Sequence, residues 1–87
     1  MSSDNFEEFR KKLEAIHSWP ALYMFKFIVP ADVEKDVTLL FPKNEVTLKS
    51  SKTGKYVSLT AEIMIGSTDQ IIEIYKKSQV IEGLIAL

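Results

Sequence analysis

The sequence predicts a single α+β domain in which helices pack on one face of a four-stranded antiparallel sheet. Three observations support this fold class. Some segments have apolar residues at every third or fourth position, as in helices, and others have them at every second position, as in strands. The two kinds of segment follow one another along the chain. Two of the strand-like segments flank a short turn that contains glycine, which is typical of a β-hairpin. The chain has 87 residues, 46% of them hydrophobic, which suits one modest core and no second domain.

The chain begins with a predicted helix over residues 4–17, ahead of a predicted core domain over residues 19–87. Its apolar residues fall at i, i+3, i+7 and i+10, which places them on one stripe of the helix. They are Phe6, Phe9, Leu13 and Ile16. We expect this helix to end before Pro20, because the residue that precedes a proline disfavours helical backbone angles.

The first predicted strand covers residues 20–30 and is rich in aromatic and β-branched side chains. One side of it carries Tyr23, Phe25, Phe27 and Val29. The opposite side carries Leu22, Met24, Lys26 and Ile28. Both sides are largely apolar, so we expect this strand to lie in the middle of the sheet with its second face covered.

A short helix and a hairpin are predicted next. The helix covers residues 31–41 between two prolines, with Val33, Val37 and Leu40 on one face. The hairpin joins a strand over residues 45–51 to a longer strand over residues 56–65. In the longer strand, one side carries Val57, Leu59, Ala61, Ile63 and Ile65, and the other carries Tyr56, Ser58, Thr60, Glu62 and Met64.

The last predicted elements are a helix and a strand. Ser67 followed by Gln70 forms a capping-box pattern, which predicts the helix start. Its inner side carries Ile71, Ile74, Tyr75 and Ser78. Residues 80–87 are predicted to form the final strand. After the first helix the order is therefore β-α-β-β-α-β, the ferredoxin-like plan, and strand order 4-1-3-2 places the two most apolar strands in the centre.

Composition excludes several kinds of chemistry. The chain has no cysteine, so a disulfide framework, a thiolate metal site and a cysteine nucleophile are excluded. With a single histidine, His17, we predict no metal site, no cofactor and no enzymatic activity. The net charge of −1 argues against a polyanion-binding chain, so nucleic acid is not an expected partner. The polar N-terminal residues and the shortness of every apolar stretch predict a cytoplasmic protein without a membrane segment.

Three stretches of the sequence resemble the YbeD-like family of small uncharacterised bacterial proteins. They are Trp19-Pro20-Ala21-Leu22-Tyr23-Met24-Phe25-Lys26, then Ser50-Ser51-Lys52-Thr53-Gly54-Lys55-Tyr56-Val57-Ser58, and the spacing of Gln70 and Tyr75. The chain departs from the family pattern at Thr53, an extra residue between a lysine and the glycine. The resemblance implies a ferredoxin-like, ACT-like fold, no established enzymatic activity and a regulatory role.

Strand alternation places five polar or aromatic side chains on the sheet face that points away from the two core helices. They are Lys26, Tyr56, Ser58, Thr60 and Glu62. We expect Lys26 to meet Glu62 or Ser58 across the central ladder. These residues form either a ligand or interface site, or an ordinary solvated or helix-covered surface.

Four apolar side chains share the same face, namely Leu22, Met24, Ile28 and Met64. A bare apolar patch of this kind usually marks an interface on a soluble domain. The first helix can cover it through its apolar stripe, or a second protomer can cover it. We favour the first helix, with dimerisation as the close alternative.

The hairpin forms a third candidate site because it is locally basic. Its residues are Lys49, Ser50, Ser51, Lys52 and Lys55. The lysines, the hydroxyls and the Gly54 amide are suited to an anionic ligand, RNA or an acidic protein surface. Alternatively, the lysines protect an edge strand from aggregation.

Three functions follow from these features. The first is a non-enzymatic regulatory or interaction module that acts through self-association or a protein partner. The second is an ACT-type sensor that binds an amino-acid-like molecule or a carboxylate through the polar side chains of the open face. The third is weak RNA binding through the lysine-rich hairpin.

Overall fold

The computed structural model of the chain describes the backbone of residues 2–87 and the side chains from Phe6 onward. Helix α1 (Ser2–Ile16) precedes β1 (Ala21–Pro30). A 3-10 turn (Ala31–Val33) leads into the short α2 (Glu34–Thr38). The chain continues through β2 (Thr47–Ser50), β3 (Tyr56–Ile65), α3 (Thr68–Ser78) and β4 (Ile85–Ala86).

The four strands form one antiparallel sheet in the order β2-β3-β1-β4, which is the predicted order read from its other edge. The prediction of an α+β, ferredoxin-like fold is therefore confirmed. The central ladder of β1 and β3 runs from the pair Ala21–Ile65 to the pair Pro30–Tyr56. Just beyond it, the Ala31 N–H donates a hydrogen bond of 2.9 Å to the Lys55 carbonyl.

The core lies on the helical side of the sheet, where strand alternation predicts it. The inward side chains of β1 and β3 are buried, most completely at Phe25, Phe27, Val29 and Leu59. Helix α2 adds Val37, and α3 adds Ile71. Ile72 of α3 is also buried, although it was not among the residues predicted for the inner side of this helix.

Helix α1 packs antiparallel to α3 on the helical side. The Phe9 and Tyr75 rings meet edge to face with their centroids 5.2 Å apart. An ion pair of 2.6 Å joins Arg10 to Asp69 near the start of α3. Leu13 is buried in the same core as the sheet residues. The predicted stripe is therefore used only in part, because Ile16 stays exposed.

Three of the predictions differ from the structure. The helix predicted over residues 31–41 is a 3-10 turn followed by α2, which ends at Thr38. Residues 80–87 form mostly turns, and only Ile85–Ala86 pair as a strand, because Gly83 takes a positive φ of 81° that breaks the extended conformation. The predicted capping box is also altered. Ser67 makes no side-chain cap, while the Gln70 side-chain oxygen accepts the N–H of Gly66 at 2.6 Å.

Candidate functional site

The open sheet face is the side of the sheet that points away from the three helices. The central ladder sets which of its residues are neighbours: Leu22 lies opposite Met64, Met24 opposite Glu62, Lys26 opposite Thr60 and Ile28 opposite Ser58. The predicted polar and apolar residues of this face are thus brought together on two adjacent strands. Tyr56 lies at the end of the ladder, opposite Pro30.

The apolar residues of the open sheet face are uncovered. Leu22 is 58% exposed, Met24 53% and Met64 62%. Ile28 is half-buried. The interpretation that we favoured, cover by the first helix, is wrong, because α1 packs against α3 on the opposite side of the sheet. Leu22 and Met64 are direct cross-strand partners, so with Met24 they form one continuous apolar patch.

Lys26 does not pair with Glu62 or Ser58 as expected. Its cross-strand partner is Thr60, and Ser58 and Glu62 lie diagonally on either side of it. Among the side chains from Phe6 onward, the one ion pair is Arg10–Asp69, on the helical side. The open sheet face therefore offers Lys26 and Glu62 as exposed charges of opposite sign.

The edge strands widen this face beyond the predicted residues. On β4, Ile85 lies opposite Ile28 and is 53% exposed. On β2, Thr47 lies opposite Thr60 and Lys49 opposite Ser58. The sequence pattern did not reveal Ile85, because the turns of residues 80–84 hide the alternation of so short a strand.

The residues of the basic hairpin are exposed, and two of its polar groups already take part in the turn. The Ser51 hydroxyl accepts the Tyr56 N–H at 3.2 Å, and the Gly54 N–H donates to the Ser51 carbonyl at 3.0 Å. Gly54 adopts a positive φ of 76°, which glycine allows without strain. Lys49, Ser50, Lys52 and Lys55 remain exposed along this edge. The Gly54 amide is bound within the turn and is not free to bind an anion.

Aromatic side chains cluster at the other side of the sheet. The His17 ring stacks on Trp19 at a centroid distance of 5.1 Å, and the indole N–H of Trp19 donates to the buried Thr68 hydroxyl at 2.7 Å. The hydroxyls of Tyr23 and Tyr75 are 3.2 Å apart and share a hydrogen bond. Burial, and then the hydrogen bond with Tyr23, raise the pKa of Tyr75 above its ordinary value.

The described part of the chain has neither a cluster of metal ligands nor a membrane-spanning helix. Among the side chains from Phe6 to Leu87, no group of three or more His, Cys, Asp or Glu residues is placed to hold a metal ion. In the same residues, no helix has both the length and the apolar character needed to cross a bilayer.

A ferredoxin-like α+β domain with a partly apolar, solvent-facing sheet is the class of protein that the fold and this face define. Residues 14–86 match the family described as "Protein of unknown function (DUF493)". This is the YbeD-like family, and the chain belongs to it. The resemblance found from the sequence is thereby confirmed. No curated protein and no solved structure matches the chain.

Proposed function

We propose that this protein is a regulatory or interaction module without catalytic activity, and that it acts by pairing with a second copy through the open sheet face. The observation that carries the proposal is the exposed patch of Leu22, Met24 and Met64. Contiguous apolar surface of this kind is costly in water, and on soluble domains it usually marks a protein interface. The chain itself supplies no intramolecular cover within its described residues.

The charges on the face support a second copy as the partner. A two-fold interface brings the same surface from both chains together, so residue i of one chain meets residue j of the other and the reverse. A face that carries both Lys26 and Glu62 can satisfy both charges in such a pair, because each lysine then has a glutamate across the interface. An acidic or basic partner would satisfy only one of them.

Replacing Met64 with lysine should abolish the pairing. The wild-type protein is expected to show concentration-dependent association by sedimentation velocity, whereas M64K should associate at least about 100-fold more weakly, because each interface would bury two unpaired charges. Val80→Lys is the matched control, since Val80 is 85% exposed and lies in the turn after α3. V80K should associate like the wild type. A wild-type protein that stays monomeric at millimolar concentration would rule out self-association.

The open sheet face also supports the ACT-type sensor as a second candidate. Lys26 and Thr60 are cross-strand partners, with Ser58 and Glu62 beside them, so a cation, an anion and two hydroxyls lie within reach of one amino-acid-like molecule. Two hollows flank this group. One of about 370 Å³ is lined in part by Tyr56 and Ser58, and one of about 290 Å³ by Thr60 and Glu62.

Thermal unfolding in the presence of each of the common amino acids tests the sensor. A ligand at about 100 times its Kd adds about 2.7 kcal/mol, which raises Tm by roughly 10 °C or more in a domain of this size. The increase should disappear in Lys26→Ala and persist in Lys55→Ala, a lysine at the far side of the hairpin turn. If no amino acid stabilises the wild type, the sensor proposal fails.

Weak RNA binding through the hairpin has less support. Modules that bind single-stranded RNA on a sheet stack bases on several aromatic side chains, whereas Tyr56 is the one aromatic residue among the outward positions of β1 and β3. Lys49 lies in the exposed edge strand β2, where a lysine also discourages pairing with other chains.

A further inference from the structure

A cavity lies on the helical side, away from the open sheet face. Its volume is about 580 Å³, within the range of roughly 300–1,000 Å³ that small-molecule sites occupy. It opens between α1, β1, α3 and the chain that leads into β4. The apolar part of its wall comes from Phe6, Phe9, Ile81 and Leu84. The proposed pairing of two copies does not use this cavity.

The wall of the cavity also contains a pair of tyrosine hydroxyls that can donate a hydrogen bond to an acceptor. Tyr23 and Tyr75 both line the cavity, and their hydroxyls are 3.2 Å apart. Two phenols carry two hydroxyl hydrogens, but their mutual hydrogen bond uses only one. Neither hydroxyl has another hydrogen bond with a described residue. One hydroxyl hydrogen of the pair is therefore available to an acceptor that enters the cavity.

The charges around the cavity favour an anionic acceptor. None of the side chains that line it is acidic. Lys76 places its Nζ 5.7 Å from the centroid of the Phe6 ring, so a cation lies beside one wall. The aromatic walls also suit a ring, which packs edge to face against phenyl groups.

We propose that this cavity binds a small apolar monocarboxylate, with its carboxylate accepting the free hydroxyl hydrogen of the Tyr23–Tyr75 pair and its apolar body against Phe6, Phe9 and Leu84. The site is separate from the amino-acid site suggested on the open sheet face.

A titration with 3-phenylpropionate, followed by amide NMR spectra of the full chain, tests the proposal. Saturable shifts are expected around Phe9, Tyr75 and Leu84 with a Kd at or below about 5 mM, as befits so small a ligand. The matched cation 3-phenylpropylamine should bind at least about tenfold more weakly. No saturable shift, equal binding of the amine, or shifts confined to the open sheet face would each overturn the proposal.

Tyrosine-to-phenylalanine variants test the hydroxyl pair without emptying the cavity. In Tyr23→Phe or Tyr75→Phe the remaining hydroxyl loses its partner and still donates, so each single variant should bind within about threefold of the wild type. The double variant has no donor left and should bind about tenfold or more weakly. Equal affinity of the double variant and the wild type would overturn the role of the hydroxyls. The spectrum of each ligand-free variant shows whether it is folded, and the comparison of acid with amine in the wild type does not depend on the variants.

Discussion

Phe25→Ala is expected to cost about 3–5 kcal/mol in the free energy of unfolding, which is a large fraction of the stability of a domain this small. Phe25 is fully buried at the centre of the aromatic cluster. Its ring lies 4.8 Å from that of Tyr23, 5.3 Å from that of Phe41 and 5.5 Å from that of Tyr75, measured between centroids. Truncation therefore removes contacts with β1, α3 and the segment after α2 together and leaves a cavity between them.

The neighbouring Met24 provides the control, because it belongs to the same strand but points to the open sheet face. Met24→Ala should change the free energy of unfolding by about 0.5 kcal/mol or less when measured on the monomer. Urea denaturation followed by circular dichroism gives both values. If Phe25→Ala leaves too little folded protein, Phe25→Leu should still lose about 1–2 kcal/mol. Equal losses at positions 24 and 25 would contradict the assignment of the two faces.

Gly83→Ala is expected to destabilise the protein by about 2–4 kcal/mol, combining a backbone cost with a steric cost. Gly83 has a φ of 81°, a conformation that alanine adopts at a cost of roughly 1–2 kcal/mol. A Cβ atom at this position would also lie 2.7 Å from Cγ and 3.0 Å from Cδ of Pro30. Relief of that contact requires the turn that carries β4 to move away from β1.

Gly54→Ala separates the two costs. Gly54 has nearly the same φ of 76°, but a Cβ atom there would meet nothing within 4 Å. Its substitution should therefore cost only the backbone contribution, about 1–2 kcal/mol. Thermal unfolding of the two variants side by side measures the difference. Equal Tm values for the two variants would mean that the contact with Pro30 is relieved without cost.

The faces of the central strands could be predicted because strand side chains alternate strictly. The order of the strands also followed, since only two strands are apolar enough for central positions. The partner of Lys26 could not be predicted. A shift of two residues in register keeps every side chain on its face, so the pattern alone does not distinguish Thr60 from Ser58 or Glu62 as its neighbour.

The position of α1 on the sheet and the presence of the cavity could not be predicted from the sequence, for a related reason. An apolar stripe predicts that a helix is packed, but it does not say against which surface. The stripe of α1 fits the apolar residues of either side of the sheet, and the contact of Phe9 with Tyr75 decides the matter. Likewise, Tyr23 and Tyr75 were both assigned inward positions, but their meeting depends on how α3 crosses β1.

The hydrogen bond between Ala31 and Lys55, next to the last pair of the central ladder, closes the segment that contains α2 and β2 at its base. β1 and β3 hold the two ends of this segment together, and this does not depend on the length of the chain between the two ends. For a loop closed in this way, each doubling of its length costs only about 0.6 kcal/mol in closure entropy. The turn at Thr53 and Gly54 is exposed, and a Cβ atom at Gly54 would meet nothing within 4 Å. The chain can therefore gain or lose residues there without disturbing either face of the sheet, which makes this turn the natural position for inserted sequence or an attached domain.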